Sequence, residues 1–339
     1  MKPELETVLV TGGAGYVGAV LTPRLLAAGY RVKVYDLYLY GREPLEAVRG
    51  HAALEEIEGD LRDTDRLRHA LRGCDAVIHL ACISNDPSVE LDPDLSRTIN
   101  FEAFEPLVRG ARDAGVRRFI FASSGSVYGV SEDPDVTEEH PLVPVSLYNK
   151  YKALCEPVLL EAAARGFDPV IIRPATICGY SPRQRLDLTV NILTNHAVNA
   201  DKITVYGGSQ MRPNLHMADM IALYLKLLEY PAALIRGEIF NAAYENFSVA
   251  ETAERIRRIV ATEVPGKQDL PIVTTPSDDI RSYHISSAKL RRVLGFAPQH
   301  TIEDGARDLI AAFGDGRLPD SLTDERYFNI RRMKAIDLR

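Results

Sequence analysis

The sequence predicts an α/β fold, a doubly wound parallel sheet with helices on both faces and a smaller C-terminal substrate-binding lobe. Three observations predict it. Short β-branched runs alternate with amphipathic stretches through the first half of the 339 residues, the order expected of a parallel sheet covered on both sides. The first run leads directly into a glycine-rich turn, Thr11-Gly12-Gly13-Ala14-Gly15-Tyr16-Val17-Gly18. After Arg173 the alternation fades.

Taken in order, residues 7–10 (Thr-Val-Leu-Val) read as a buried strand, and residues 17–28 as a helix closed by Gly29 at the usual C-terminal position. Further strands are expected at 32–35, 54–58, 76–80, 118–122 and 169–173, with helices at 63–71, 95–114 and 146–165. Residues 180–184 and 207–212 read as loops, and later helices are expected at 249–260 and 302–313. The domain reading is a dinucleotide-binding unit over 1–175 with the chain returning near 215–245. A lobe covers 176–214 and 246–325, and 326–339 form a tail that either packs or dangles.

Composition narrows the function classes. Charged residues make up 26% and apolar residues 46% of the chain, an ordinary globular balance. With 40 Lys and Arg against 47 Asp and Glu the net charge is −7, so neither nucleic acid nor an anionic membrane is the expected partner. No apolar run approaches the ~20 residues of a membrane span, and Met1-Lys2-Pro3-Glu4-Leu5-Glu6 does not read as a signal peptide. The four cysteines form no CxxC pair and are expected as reduced thiols in a cytoplasmic protein.

The glycine turn follows a strand and opens a helix, the context in which such a turn cradles a dinucleotide pyrophosphate. Gly12, Gly15, Tyr16, Val17 and Gly18 are the candidate contacts. Asp36 ends the second strand, 18 residues beyond Gly18. An acid there accepts the adenosine ribose hydroxyls and repels a 2′-phosphate, which predicts NAD over NADP, with Arg42 the one nearby group to the contrary. Asp60, in Gly59-Asp60-Leu61-Arg62-Asp63, either meets the adenine or caps a helix.

Tyr148 and Lys152 stand four residues apart on a predicted helix, hence on one face. A tyrosine with a pKa near ~10 becomes a base only if neighbouring positive charge lowers it. Lys152 supplies such a charge and can hold the nicotinamide ribose. Ser124 and Ser126 lie at the carboxyl end of the fifth strand, where substrate binds such sheets, and hydroxyls there also suit a turn.

With these residues in place the chain resembles the extended short-chain dehydrogenase/reductases that act on nucleotide sugars, from Thr7 to about Pro298. The shared stretches are residues 11–18, Asp36, 59–63, His79-Leu80-Ala81, Asn100, 123–129, 148–152 and Arg173-Pro174. The resemblance implies a Rossmann fold, Tyr148 as acid/base, Lys152 as cofactor-orienting base partner and Ser124 on the sugar hydroxyl. It adds Leu61, Leu80, Ala81 and Asn100 to the cofactor side, Asn100 also as the asparagine that supports the catalytic helix network, and calls for no metal. It further implies that Asn191, Arg212 and Arg281 hold the nucleoside diphosphate, arginine being suited to phosphate by its planar fork.

Two departures bear on the chemistry. Thr176 stands where many members carry asparagine, and Arg183 follows seven residues on. Uronic-acid 4-epimerases of the family are similar here, which makes a UDP-hexuronate such as UDP-glucuronate the leading substrate. Arg185 is an equally charged neighbour, and both arginines also suit a plain loop. Gly125-Ser126 replaces the Asp-Glu pair of sugar 4,6-dehydratases, so elimination lacks its proton carriers there.

The expected activity is therefore an NAD-dependent nucleotide-sugar 4-epimerase. A 4-keto-sugar reductase or dehydratase and a non-catalytic NAD(H) sensor are the competing readings. Residues 83–87 belong to a loop near nicotinamide and sugar with no assigned role. Phe101, Phe104 and Leu107, with Leu154, Val158 and Leu159, place apolar side chains on more than one helix face. By resemblance this implies a homodimer built through a four-helix bundle.

Overall fold

The computed structural model describes residues 4–164, 166–277 and 281–336. Its strands are β1 (Thr7–Thr11), β2 (Arg31–Asp36), β3 (Leu54–Glu58), β4 (Ala76–His79), β5 (Arg118–Ala122) and β6 (Asp168–Pro174). They continue with β7 (Thr176–Cys178), β8 (Ile203–Tyr206), β9 (Met211–His216), β10 (Glu238–Ala242), β11 (Glu245–Ser248) and β12 (Ile272–Thr275). Seven of them form one parallel sheet in the order β10-β6-β5-β4-β1-β2-β3. The order reverses direction at β1 and β4, the switch point at which such sheets bind ligands.

Both faces of the sheet are buried, so its strands are apolar at successive positions. Val8 and Val10 join the cluster on one face and Leu9 the cluster on the other. On β5 Ile120 faces one side while Phe119 and Phe121 face the other. A third cluster, built on Val190, Leu193, Val205 and Ile256, holds the lobe together. There β9 lies between β11 and β7, and β8 pairs with β12.

The strands expected from β-branched runs appear within a residue or so of their predicted bounds. The continuous helix expected over 95–114 does not form. It is divided into Pro93–Arg97, a wide π turn at Thr98–Glu102 and Phe104–Asp113. The turn frees the Asn100 carbonyl to accept from Cys155 Sγ at 3.3 Å, while the Asn100 amide ties down Ile83 through both its backbone N–H and its C=O. The next helix is capped by Ser146, whose Oγ accepts from the Asn149 N–H, and runs Leu147–Glu161; Arg165, expected at its end, lies outside the described residues. Arg212, read as a loop residue, sits in β9. Helices Thr189–Asn199 and Met217–Glu229 had no expectation. The tail packs: Tyr327 and Phe328 bury against Leu186 and Leu309, and a helix follows at Asn329–Ala335. Its last three residues, together with residues 1–3 and the Asp279-Ile280 that precede Arg281, are outside the described residues.

Candidate active site

A cavity of about 510 Å³ opens beyond the carboxyl ends of the parallel strands. Its first wall is the glycine turn. Gly12 has φ +73°, and a Cβ there would lie 2.7 Å from the Ala81 nitrogen. A Cβ on Gly18 would meet the Gly12 carbonyl at 2.3 Å, so the helix Gly18–Ala27 can start this close only with glycine. Gly15, Tyr16 and Val17 complete the wall.

Asp36 stands at one end of the cavity. Its carboxylate accepts the Tyr38 N–H at 2.7 Å and the Ala14 N–H at 2.9 Å. Burial pushes its pKa up, opposed by those two N–H groups. Arg42 stacks over the Tyr38 ring at 3.9 Å and reaches Glu58 at 2.5 Å, so its charge is already taken. The glycine cradle and an acid with lone pairs to spare fit an NAD-type dinucleotide. Leu61, Leu80 and Ala81 line the same cavity.

Two expected cofactor contacts are placed differently. Asp60 is clamped by Arg62, Oδ2 to Nη2 at 2.7 Å, and is not part of the cavity wall. Asn100 is buried behind the wall, where its amide fixes the backbone at Ile83. Each has its polar atoms engaged by the protein, so each shapes a loop from outside the cavity.

Tyr148 and Lys152 reach the cavity from the helix Leu147–Glu161. Lys152 is 4% exposed, and its Nζ donates to the Ala122 carbonyl at 2.6 Å. Burial raises the Tyr148 pKa well above that of a free phenol, with Cys82 and Asp86 adding to the rise and Arg185 opposing it. The protein alone therefore holds Tyr148 as a neutral phenol. Ser124 Oγ lies 2.7 Å from Ser126 Oγ, which donates to the Asn149 side-chain carbonyl. That leaves the Ser126 oxygen to accept, so Ser124 is the donor between the two serines. Asn149, buried within the helix, was not singled out in the sequence.

The neighbouring motif residues serve the scaffold. Ser123 Oγ donates to Glu156 at 2.6 Å, and Glu156 forms a buried ion pair with Arg173 at 2.6 Å. Arg173 also reaches the Tyr128 hydroxyl at 2.6 Å, which donates to Asn241 at 2.8 Å. Tyr151 stacks on Phe101 with ring centroids 6.3 Å apart. Neither Tyr128 nor Tyr151 borders the cavity.

Thr176, Arg183, Arg212 and Arg281 line the remainder. Arg183 is 4% exposed, with its guanidinium 3.5 Å above the Tyr40 ring and one amino group donating to Asn329. Its Nε is buried with no hydrogen-bond partner, and among the described residues no carboxylate forms an ion pair with it. Burial pulls its pKa down. Arg185, the alternative, is spent on Asp187 at 2.9 Å. Arg281 pairs with Asp86, whose other oxygen accepts from Ser146 Oγ. Asn191 does not reach the cavity. It is fully buried, accepts the Gly179 N–H at 3.1 Å and donates to the Arg185 carbonyl and the Tyr16 hydroxyl, so it braces the loop around the site. Asp86, in the loop 83–87 read as lying near nicotinamide and sugar, borders the cavity, while Asp187 and Asn329 do so without any prior sign in the sequence, because loops distant along the chain bring them there.

Residues 8–243 match the sequence model of the NAD dependent epimerase/dehydratase family. A UDP-glucose 4-epimerase of Lactobacillus helveticus is 28% identical over 328 residues, covering 90% of this chain and 94% of that protein. The crystal structure of DesIV, a dTDP-glucose 4,6-dehydratase of Streptomyces venezuelae with NAD and TYD bound, superposes with a TM-score of 0.82 at 26% identity, over 94% of this chain and 100% of that one. MoeE5 in complex with UDP-glucuronic acid and NAD gives a TM-score of 0.78 at 26% identity, over 91% and 99%.

Proposed function

The chain belongs to the NAD dependent epimerase/dehydratase family, and from that premise we propose that it is a nucleotide-sugar 4-epimerase. Held by the glycine turn Gly12–Gly18 and Asp36, NAD would supply a reversible hydride acceptor for the sugar C4. Tyr148 removes the proton of the C4 hydroxyl and gives one back. Lys152 orients the cofactor side of the site and favours the phenolate. Ser124, whose O–H points to Ser126 in the free site, accepts from the C4 hydroxyl and turns that O–H to the C4 oxygen once the proton has left. The 4-keto sugar turns over between the two hydride transfers, with its diphosphate held by Arg212 and Arg281.

One observation carries the choice of epimerisation over dehydration. Between Ser124 and Tyr148 only Ser126 borders the cavity, so no carboxylate follows the serine there, and Asp187, from the loop after β7, is held by Arg185 and the Asn329 N–H. Asp86 enters from another loop, but both its oxygens are engaged by Arg281 and Ser146. Elimination needs a free acid and base beside the sugar C5 and C6; epimerisation needs only Tyr148.

The leading substrate is a UDP-hexuronate, UDP-glucuronate in the first instance. Arg183 feels Asp187 and Asp36 without pairing with either among the described residues, and its guanidinium, with the Thr176 hydroxyl on the same cavity wall, suits a sugar carboxylate. The enzyme is taken as a cytoplasmic homodimer. No helix among the described residues is long and apolar enough to cross a membrane.

The test is incubation of the purified protein with a panel of UDP- and dTDP-sugars, without added reductant. An epimer formed with no net change in NADH supports the proposal. Dependence on added NAD(P)H would mean a reductase, a 4-keto-6-deoxy product a dehydratase, and inertness towards every sugar an NAD(H) sensor.

A further inference from the structure

The C-terminal segment meets the cleft through Asn329 and Ile330. Asn329 is 1% exposed and borders the cavity that runs between Asp36 and Tyr148. Its Oδ1 accepts from Arg183 Nη2, and its Nδ2 donates to Ser84 Oγ at 2.8 Å. Its backbone N–H donates to Asp187 at 3.0 Å. Asp187 in turn holds Arg185 and accepts from Asn85 Nδ2 at 3.2 Å. Three residues on, Arg332 Nε donates to the Leu39 carbonyl at 2.9 Å.

These contacts join three loops that rim the cavity, those following β2, β4 and β7. The joints are polar, and a primary amide stands at the centre. It accepts from a guanidinium and donates to a hydroxyl at once, which neither an acid nor an alkyl group of that size does. Upstream the segment rests on Tyr327 and Phe328 in a small apolar cluster, and its one apolar contact among the described residues with a core flanking the sheet is the partly buried Met333. A unit held by few apolar contacts opens more readily than the sheet does.

We infer that residues 325–336 are a clasp over the dinucleotide cleft and that Asn329 is the positioning residue that locks it, so that bound NAD leaves only when the clasp lifts. The inference rests on reading the cavity as the NAD site. It deepens the proposed function, since a cofactor that is regenerated in every cycle need not exchange.

The test measures release of NADH from the loaded full-length enzyme by loss of its fluorescence into excess NAD, with no sugar present. Asn329→Ala is expected to speed release about tenfold, the weight of one charge-assisted hydrogen bond. Arg332→Ala, at a partly exposed edge of the same segment, is expected to speed it by a smaller factor. The thermal unfolding midpoint of each cofactor-free variant is read alongside. Faster release at an unchanged midpoint supports the clasp. Unchanged release in Asn329→Ala overturns it, as does faster release that follows a falling midpoint in both variants. Because no sugar is used, the outcome is independent of whether the panel assay finds an epimerase.

Discussion

The Lys152 ammonium stands 5.9 Å from the centre of the Tyr148 ring and is anchored to the Ala122 carbonyl at the end of β5. The pair is thus fixed to the sheet rather than to the helix alone. Tyr148→Phe keeps the ring and removes only the reacting hydroxyl. Turnover on the identified sugar is expected to fall about 10²–10⁴-fold, with NAD binding retained by calorimetry. Lys152→Met is expected to weaken both.

Burial holds the Tyr148 proton on above the ordinary phenol range. A positive nicotinamide ring beside it acts in the opposite direction. Ultraviolet difference titration should show Tyr148 ionising at lower pH with NAD⁺ bound than with NADH bound, and the shift should vanish in Tyr148→Phe. Equal titrations in the two redox states would mean that the cofactor charge does not reach the phenol.

Asp36 must be ionised to accept two ribose hydroxyls, and burial raises its pKa. NAD affinity is therefore expected to fall on acidification beginning above the usual carboxylate range. Asp36→Asn should bind NAD more weakly and flatten that dependence, and it should narrow the preference for NAD over NADP. Titration of both cofactors from neutral pH to pH ~4 checks all three.

Glu156 and Arg173 are each 3% exposed and face each other at 2.6 Å. Glu156→Gln leaves the guanidinium buried without its counter-charge. Breaking a buried pair from one side costs about 3–5 kcal/mol, which denaturant unfolding will measure. Glu156→Gln with Arg173→Met should recover part of that loss.

On the outer face of the helix Leu147–Glu161, Leu154 is 38% exposed, and Val158 and Phe101 are half-buried beside the sheet core. Phe104, Leu107 and Leu159 point inward instead. If two copies pair through this face, Leu154→Glu should shift sedimentation from dimer to monomer at micromolar concentration while leaving the fold intact by circular dichroism. A wild-type monomer under the same conditions removes the pairing.

The parts legible in the sequence are those encoded within a few neighbouring residues. A strand, a turn and a helix start coincide at Gly12–Gly18, and Tyr148 and Lys152 are one helical turn apart, so their shared face follows from the spacing. Asp86 and Arg281 lie 195 residues apart, and Asn329 lies 146 residues from Arg183. Loops without periodicity bring them together, and no local pattern announces it. Asn191 was misplaced for the converse reason: its motif fits a ligand contact, while its burial among Gly179, Arg185 and Tyr16 follows only from tertiary packing. The break at Thr98–Glu102 contains neither proline nor glycine to mark it.

The bond from the Tyr128 hydroxyl to Asn241 spans 113 residues and reaches across to the last strand added to the sheet. It sets an order in time. During synthesis the first six strands of the parallel sheet can associate while the chain is still growing, but the edge strand carrying Asn241 arrives some 60 residues after its neighbour β6. Until then the hydroxyl that braces Arg173, and through it Glu156 on the helix that carries Tyr148 and Lys152, lacks its acceptor. A nascent chain that already contains every group from Gly12 to Lys152 is thus still immature, and catalytic competence should appear late, with the docking of β10. Long-range parallel pairing of this kind folds slowly.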